Sequence, residues 1–301
     1  MNRPRLKHIL MESGLCFDRV RLLDWLLTHT LLRTFAFRFL RLRFSPAILK
    51  DALRHEVDTD EAGRLFSLGI SYINVGDTYK TTRSDRTFLT DNRLLSLAKT
   101  LNAPSLLEVG VSDGTSSLAL LGKGNHFSRV LLTDKFSHFF ERKFPFGSLY
   151  YDSESRLLGI KFLCFYINVA LSKQHDTSGL SRIETVNPLV VKFYGVGAIG
   201  YFDVFKAPLD EPVQLIKCSN VLNMSYFSKK HIIHGLFNLS RSLTENGYLI
   251  VSHNNEKYSQ GEALLVLVKK SSTLQVIENI NSHELSSLFS DGFLLEPHGE
   301  E

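Results

Sequence analysis

The stretch Ser105–Leu120 constrains the fold more than any other part of the chain. It reads SLLEVGVSDGTSSLAL, an apolar run that ends near Glu108, then a loop of small residues, then apolar residues at helical spacing. Glycines in such a loop allow a ligand to approach the backbone, next to the free N–H groups at the start of the helix. The stretch therefore predicts a strand, a nucleotide-binding turn and a helix. The candidate loop residues are Gly110, Ser112, Asp113 and Gly114.

The composition is that of an ordinary folded protein. The chain has 301 residues, of which 44% are hydrophobic and 22% are charged, which is enough for one large α/β domain with additions. Its three cysteines, Cys16, Cys164 and Cys218, are far apart in the sequence. They indicate neither a disulfide framework nor a metal-binding pair, so we expect a reducing, cytoplasmic location.

Positive charge is concentrated at the N-terminus. Residues 1–54 carry 11 Lys and Arg against 4 Asp and Glu. Within them, residues 17–44 place arginines among phenylalanines, with leucines at helical spacing. Three partners are open: the protein's own core, an anionic membrane surface reached from the inner face, and, less favoured, a nucleic acid. No uncharged run of 18 apolar residues occurs, so we expect no membrane-spanning helix.

Apolar strands alternate with helical segments from about residue 90 to residue 254. The predicted strands are SLLEV, RVLLTD, LVVKF, IGYFDVF, VQLIKC and YLIVSHN. Two further apolar runs, ALLVLVKK and TLQVIENI, are separated only by two serines. Alternation favours a parallel sheet with helices on both faces, whereas so short a link requires an antiparallel hairpin.

Other segments give secondary-structure predictions of their own. We expect a hairpin in residues 65–80 around Gly76-Asp77 and a helix capped by Thr90. Ser153–Leu171 is predicted to be a helix, within an insertion of about residues 136–200. The amphipathic helix that starts near Phe227 is predicted to end at Asn246-Gly247.

This order of elements resembles that of the class I S-adenosylmethionine-dependent methyltransferases. The residues that carry the resemblance are Glu108, Gly110 and Gly114 in the pattern E-x-G-x-x-x-G, Asp134 at the end of the next strand, and the closing hairpin. It implies a Rossmann-like, seven-stranded, mostly parallel sheet with an antiparallel C-terminal hairpin, helices on both faces and S-adenosyl-L-methionine as cofactor. The corresponding division is a basic N-terminal extension, 1–60, and a methyltransferase domain, 61–301.

The resemblance also implies roles for single residues. Glu108 and the loop Gly110–Gly114 would hold the amino-acid and sugar end of the cofactor. Asp134 would accept hydrogen bonds from the two ribose hydroxyls, for which a carboxylate is suited. Asp203 would approach the adenine, although a role as a turn residue is equally open.

Catalytic residues are less well defined. Methyl transfer is an in-line displacement that depends on proximity and alignment, and a base is needed only for some acceptors. His253 and Asn220 are weak candidates because each follows a predicted strand. His231 and His234 are three residues apart on a predicted helix, but no third ligand is evident, so no metal is expected. The acceptor is not identified; a small molecule or a lipid- or glycan-linked group is favoured.

Two other functions stay open. One, the less favoured, is a dinucleotide or nucleotide-sugar enzyme, because the dinucleotide dehydrogenases also have a glycine turn and an acidic ribose-binding residue. However, the loop GVSDGT is not G-x-G-x-x-G, and Glu108 would repel a pyrophosphate. Alternatively, the chain binds S-adenosylmethionine without turning it over and serves as an interaction protein.

Overall fold

The computed structural model describes residues 13–54, 58–75, 78–79, 86–122, 124, 126–169, 171–195 and 198–289. Contacts divide the chain into two compact units, each with its own seven-stranded sheet. The antiparallel-sheet unit comprises Met1–Arg83, Ser112–Thr115 and Phe136–Ala198. The parallel-sheet unit comprises Ser84–Val111, Ser116–Lys135 and Ile199–Glu301. Residues 61–83 are thus grouped with the N-terminal segment rather than divided from it at residue 60.

The sheet of the parallel-sheet unit contains the strands predicted around the glycine loop. In chain order they are β5 (Ser105–Val109), β6 (Arg129–Asp134), β12 (Ile199–Tyr201), β13 (Val213–Ser219), β14 (Leu243–Asn254), β15 (Glu262–Lys270) and β16 (Thr273–Ile280). Their order across the sheet is β12-β6-β5-β13-β14-β15-β16. The first five are mutually parallel, and β15 and β16 add antiparallel neighbours. The predicted mostly parallel sheet with a closing hairpin is confirmed.

Both faces of this sheet are buried under helices. Leu106 of β5 belongs to an apolar cluster with helix α5 (Phe88–Leu101), whereas the adjacent Leu107 belongs to a cluster with helix α8 (Lys229–Arg241). Successive side chains of a strand point to opposite faces. A strand with no polar alternation, such as SLLEV, is therefore what a sheet covered on both sides requires.

The antiparallel-sheet unit contains the other long sheet. Its strands are β1 (Gly14–Phe17), β2 (Arg43–Phe44), β7 (His138–Phe144), β8 (Gly147–Tyr151), β9 (Leu157–Phe162), β10 (Phe165–Asn168) and β11 (Ser181–Glu184). Their order is β11-β7-β8-β9-β10-β1-β2. All neighbours are antiparallel except β1 and β2. The expected insertion and N-terminal extension thus build one sheet together.

The structure describes six further α-helices. They are α1 (Val20–Thr28), α2 (Thr30–Arg38), α3 (Ala47–Arg54), α4 (Thr59–Ile70), α6 (Thr115–Leu121) and α7 (Pro188–Tyr194). Helices α1, α3 and α4 supply most of the helical side chains of the core of the antiparallel-sheet unit. Among the described helices, none is long and apolar enough to cross a membrane.

The predicted helix Ser153–Leu171 is wrong. This segment forms β9 and β10, which are joined by a tight turn at Leu163 and Cys164. Leu163 has φ +53°, a left-handed conformation that usually requires Gly or Asn. The turn therefore lacks its usual sequence signal, and the apolar residues on either side imitate a helical stripe.

The predicted strand LVVKF is also wrong, because these residues lie in α7. Asn187 caps the helix by accepting the N–H of Leu189 at 2.9 Å, and Pro188 occupies its first turn. A cap residue followed by proline is a helix-start signal that outweighs the β-branched pair at 190 and 191.

Two predicted helix boundaries are wrong as well. Thr87, not Thr90, precedes helix α5, and Thr90 donates from inside the helix to the carboxylate of Glu262. Helix α8 ends at Arg241, and Asn246-Gly247 forms an irregularity within β14, where Asn246 has φ +61°. Such a bulge uses the same residue types as a helix C-cap.

The early predictions are confirmed in part. The leucines at helical spacing in residues 17–44 lie in two separate helices, α1 and α2, which β2 follows. The predicted hairpin of 65–80 is confined to two short strands, β3 (Asn74–Val75) and β4 (Thr78–Tyr79), because residues up to 70 belong to α4. Gly76 and Asp77, at its predicted turn, lie outside the described residues.

Candidate cofactor site at the carboxyl edge of the parallel sheet

The strand order creates a switch point beside β5. From β5 the chain proceeds outward on one side through β6 and β12, and then on the other side through β13 and β14. Ligands of open α/β sheets bind at such a point, beyond the carboxyl ends of the strands. The candidate residues at this edge are Gly110 after β5, Asp134 at the end of β6, Asp203 after β12, Asn220 after β13 and His253, the last residue but one of β14. The fold thus places the predicted residues of this unit at one edge.

Gly110 adopts a conformation that only glycine accepts readily. Its φ is +73°, and a Cβ atom there would lie 2.3 Å from Cγ2 of Val221. The N–H groups of Gly110 and Val111 both donate to the carbonyl oxygen of Thr133, at 2.8 and 3.1 Å. The turn after β5 is therefore attached to β6, and these two N–H groups already have an acceptor.

Glu108 lies in a buried charge cluster. The ammonium of Lys217, which is fully buried, is 2.7 Å from Oε1 of Glu108 and 2.8 Å from Oδ1 of Asp91. Glu108 and Lys217 are direct neighbours across β5 and β13. At these distances both contacts are ion pairs. The second oxygen of Glu108, Oε2, is buried and has no hydrogen-bond partner among the described residues.

The electrostatics of this cluster follow from burial and pairing. Burial alone would lower the pKa of Lys217, but the attraction of Glu108 and Asp91 outweighs it and raises that pKa. Burial raises the pKa of Asp91, and Lys217 only partly offsets it. With both carboxylates ionised, the three groups carry one net negative charge. The cluster can therefore stabilise a cation next to it.

Sequence reasoning missed Lys217 and Asp91. A signal was present, because Lys217 interrupts the apolar strand VQLIKC at a position that a fully covered strand must bury. A lysine there requires a partner, since an isolated buried charge is strongly unfavourable. Which carboxylates supply it depends on the strand register and on the packing of α5.

The two other carboxylates of this edge differ in their surroundings. Asp134 is buried at the end of β6, and its backbone oxygen accepts the N–H of Phe202 at 3.4 Å. Asp203 is buried with both carboxylate oxygens engaged. Oδ1 accepts the N–H of Phe205 at 3.0 Å, and Oδ2 is 2.7 Å from Nζ of Lys135. These contacts of Asp203 fit the turn role that the sequence left open.

The segment Ser112–Thr115 is grouped with the antiparallel-sheet unit. Within it, Asp113 is fully buried, and its Oδ1 accepts the N–H of Thr115 at 3.0 Å. Oδ2 accepts from the hydroxyls of Ser67 and Thr115, both at 2.8 Å, and from the amide of Asn187 at 3.2 Å. Because both oxygens are engaged, Asp113 holds its loop in place. Ser112 and Gly114, at φ +60° and +84°, form the turn around it.

The catalytic candidates lie at the ends of adjacent strands. Nε2 of His253 is 3.1 Å from the amide of Asn223, and Nδ1 is 3.8 Å from Glu284. Burial lowers the pKa of His253, so its imidazole is neutral near pH 7. Asn220 makes two hydrogen bonds with Asn254, donating to Oδ1 at 2.7 Å and accepting the backbone N–H at 2.8 Å. Asn220 therefore joins the two strand ends, whereas Nδ1 of His253 has no hydrogen bond with the residues that the structure describes.

No group of three metal-ligating side chains occurs within the described ranges. His231 accepts or donates at 2.9 Å with Ser228, the residue that caps α8. His234 is 3.3 Å from Asn238 on the same helix. The contacts of both histidines are thus those of the helix itself.

Comparison with solved structures finds methyltransferases at low similarity. The N-methyltransferase NodS of Bradyrhizobium japonicum, in complex with S-adenosyl-L-homocysteine, is 13% identical, with 65% of this chain and 73% of that chain covered and a TM-score of 0.32. A second NodS structure matches 55% of this chain. The match spans 66% of the NodS chain, which is slightly less than two thirds of its length. The S-adenosylmethionine-bound amino pentose methyltransferase CalS10 of Micromonospora echinaspora is 9% identical, with 74% of each chain covered and a TM-score of 0.31.

A fourth similar structure is that of an S-adenosylmethionine-dependent methyltransferase of Clostridium acetobutylicum. It is 10% identical, with 69% of this chain and 82% of that chain covered and a TM-score of 0.34. No protein-family model matches the sequence, and no curated protein matches it. At these TM-scores the fold assignment rests on the strand order and register of the sheet.

Proposed function

We propose that the protein binds S-adenosyl-L-methionine at the switch point of the parallel sheet and transfers its methyl group to an acceptor. The observation that carries the proposal is the combination of a left-handed glycine turn after β5 with acidic side chains in β5 and at the end of β6. A glycine turn beside two carboxylates fits a cofactor with a cationic amino-acid end and a ribose diol.

The residues present fit such a cofactor. Glu108 retains a buried oxygen, Oε2, without a hydrogen-bond partner among the described residues, and with both carboxylates ionised the surrounding cluster has one net negative charge. Both features suit an ammonium donor rather than a phosphate. Asp134, buried at the end of β6, would accept the ribose hydroxyls. Asp203 is not needed for the proposal, because its oxygens are engaged by Phe205 and Lys135.

The main task of the chain in this reaction would be to position the cofactor and the acceptor. The bound cofactor supplies an electrophilic methyl group on a sulfonium, and in-line displacement needs alignment more than covalent help. His253, neutral near pH 7 because burial lowers its pKa, would accept a proton if the acceptor is a hydroxyl. We extend the proposal to an acceptor that is a small molecule or a lipid- or glycan-linked group.

The proposal is tested by calorimetry with S-adenosylhomocysteine and, separately, with NAD. Asp134→Asn should weaken S-adenosylhomocysteine binding by about 1.5–3 kcal/mol, the range for hydrogen bonds to a charged group. Asp210→Asn is the matched control, because Asp210 is exposed in a loop of the same unit, and it should bind as the wild type does. Equal affinity in both variants would remove Asp134 from the site, and binding of NAD alone would favour a dinucleotide enzyme.

A second proposal concerns an anionic membrane surface as partner, through residues 17–44. Helix α2 has a single buried residue, Ala36. Leu31, Phe35 and Phe39 are 87%, 53% and 69% exposed. Arginines on the same segment would face anionic headgroups while these apolar groups enter the interface.

Vesicle flotation tests the membrane proposal. Phe35→Ser with Phe39→Ser should reduce binding to vesicles that contain phosphatidylserine. Phe193→Ser is the control, because Phe193 is equally large and 61% exposed on α7. Unchanged binding of the Phe35/Phe39 variant, or equal binding to pure phosphatidylcholine vesicles, would contradict the proposal.

A further inference from the structure

A polar cavity is lined entirely by residues of the antiparallel-sheet unit, and none of them is a candidate residue of the cofactor site. Its volume is about 260 Å³, slightly below the range of pockets for drug-sized ligands, so it suits a small ligand. One wall is a single face of α3, which presents Ala47, Lys50, Asp51 and Arg54 at helical spacing.

The floor of the cavity is one face of the hairpin β7–β8. Glu141 lies directly across from Tyr150, and Lys143 lies across from Ser148. Residues two apart in a strand share a face. Tyr150 continues into the apolar core, whereas Glu141, Lys143 and Ser148 make the outer part polar.

Every carboxylate of the cavity already has a cation. Asp51 is buried 2.8 Å from the guanidinium of Arg19, and it also accepts the N–H of Val20. Glu141 is buried 2.9 Å from Nζ of Lys50. These pairs neutralise each other, so they neither attract a cation nor strongly repel an anion.

The remaining contacts complete this neutralisation. Glu141 also accepts from the hydroxyls of Ser148 and Tyr150, at 3.0 and 3.3 Å. Burial alone would raise the pKa of Glu141, but the hydrogen bond and charge of Lys50 outweigh it and lower that pKa, so the carboxylate is ionised near pH 7. Asp18 is paired with Lys161 and accepts the hydroxyl of Ser45.

Two cations are left in excess. Arg54 of α3 and Lys143 of β7 both line the cavity. Neither has an ion pair or hydrogen bond with the part of the chain that the structure describes, although the charge of Lys143 adds weakly to the attraction on Glu141. Two uncompensated positive charges that face one small polar cavity are complementary to a divalent oxyanion.

We propose that this cavity is a binding site for a small phosphate-bearing ligand, held between Arg54 of α3 and Lys143 of β7. Arg54 can bind two phosphate oxygens through its planar guanidinium, and Lys143 contributes a compact charge from the facing strand. None of the residues that line this cavity is among the candidate residues of the proposed cofactor site.

The test is a calorimetric titration of the full chain with inorganic pyrophosphate at low ionic strength. We expect saturable binding that weakens as salt is added, because the exposed cations are screened. Arg54→Gln and Lys143→Gln should each weaken it by about tenfold or more, the scale for hydrogen bonds to charged groups. Lys192→Gln is the matched control, since Lys192 is exposed on α7 in the same unit, and it should leave the affinity unchanged.

Absence of saturable binding up to about 10 mM pyrophosphate, or equal weakening by all three variants, would overturn the proposal. Both target side chains are exposed, so circular dichroism should show folded variants. A competition arm identifies the source of the phosphate. Displacement of pyrophosphate by vesicles that contain phosphatidic acid assigns a lipid headgroup, and displacement by glycerol phosphate alone assigns a soluble ester.

Discussion

Replacement of Lys217 by methionine probes the buried charge cluster most directly. Lys217 is fully buried in a central strand, 2.7 Å from Glu108 and 2.8 Å from Asp91. Methionine has a similar length, so the change removes the charge with little change in packing. It leaves two carboxylates facing each other without a cation. Breaking a buried ion pair from one side typically costs about 3–5 kcal/mol, and we expect a loss of unfolding free energy in that range.

The assay is urea unfolding followed by far-UV circular dichroism. The single tryptophan, Trp25, lies in the antiparallel-sheet unit, so its fluorescence is not a suitable probe of this cluster. Lys99→Met is the matched control, because Lys99 is exposed on α5. It should change stability by less than about 0.5 kcal/mol, as surface substitutions do.

A triple variant separates the charge from the packing. Asp91→Asn, Glu108→Gln and Lys217→Met together remove every charge of the cluster, and they should recover most of the lost stability, since the cost lies in the unpaired carboxylates. A single Lys217→Met variant within about 1 kcal/mol of the wild type would refute this reasoning. So would a triple variant that is no more stable than the single one.

Two further predictions concern local geometry and pH. Gly110→Ala should lower the unfolding free energy by about 1–3 kcal/mol, because φ is +73° and the new Cβ meets Val221. Adding Val221→Ala should recover part of this loss. A Gly110→Ala variant as stable as the wild type in urea unfolding would contradict the prediction. Burial lowers the pKa of His283 to about 4, and its Nδ1 accepts the N–H of Leu285 in the neutral form. As the pH falls from 7 to 5 the unfolded chain gains a proton that the folded chain does not, so stability should fall by about 2 kcal/mol. His283→Asn keeps a capping oxygen and should lack this part of the pH dependence in thermal unfolding at the two pH values; the same slope in both proteins would show that His283 is not its source.

The parallel sheet could be predicted because its signals are local. Each strand is a short apolar run bounded by turn residues, and the alternation with helices specifies parallel pairing. The antiparallel sheet could not be predicted in the same way. It combines β1 and β2 from the start of the chain with strands from residues 138–184. Neither segment shows the other as its partner, and the turn at Leu163 lacks glycine or asparagine.

The candidate site shows the same limit at the level of single residues. Glu108, Gly110 and Asp134 could be placed at one sheet edge from the sequence, and the structure puts them there. The pairing of Glu108 with Lys217 depends on register between strands that are distant in sequence. The hydrogen bonds that Asp113 accepts from Ser67 and Asn187 depend on tertiary packing, which the sequence of the loop alone does not specify.

The most direct test of the central claim is hydrogen exchange of the full chain with and without S-adenosylhomocysteine. If the cofactor binds at the switch point, protection should increase in the turn that follows β5 and in the residues just after β6. The opposite edge of the same sheet, around residues 127–129 and 211–213, should be unchanged and serves as the internal control. No change in exchange at saturating ligand, or protection confined to residues 136–198, would contradict the account.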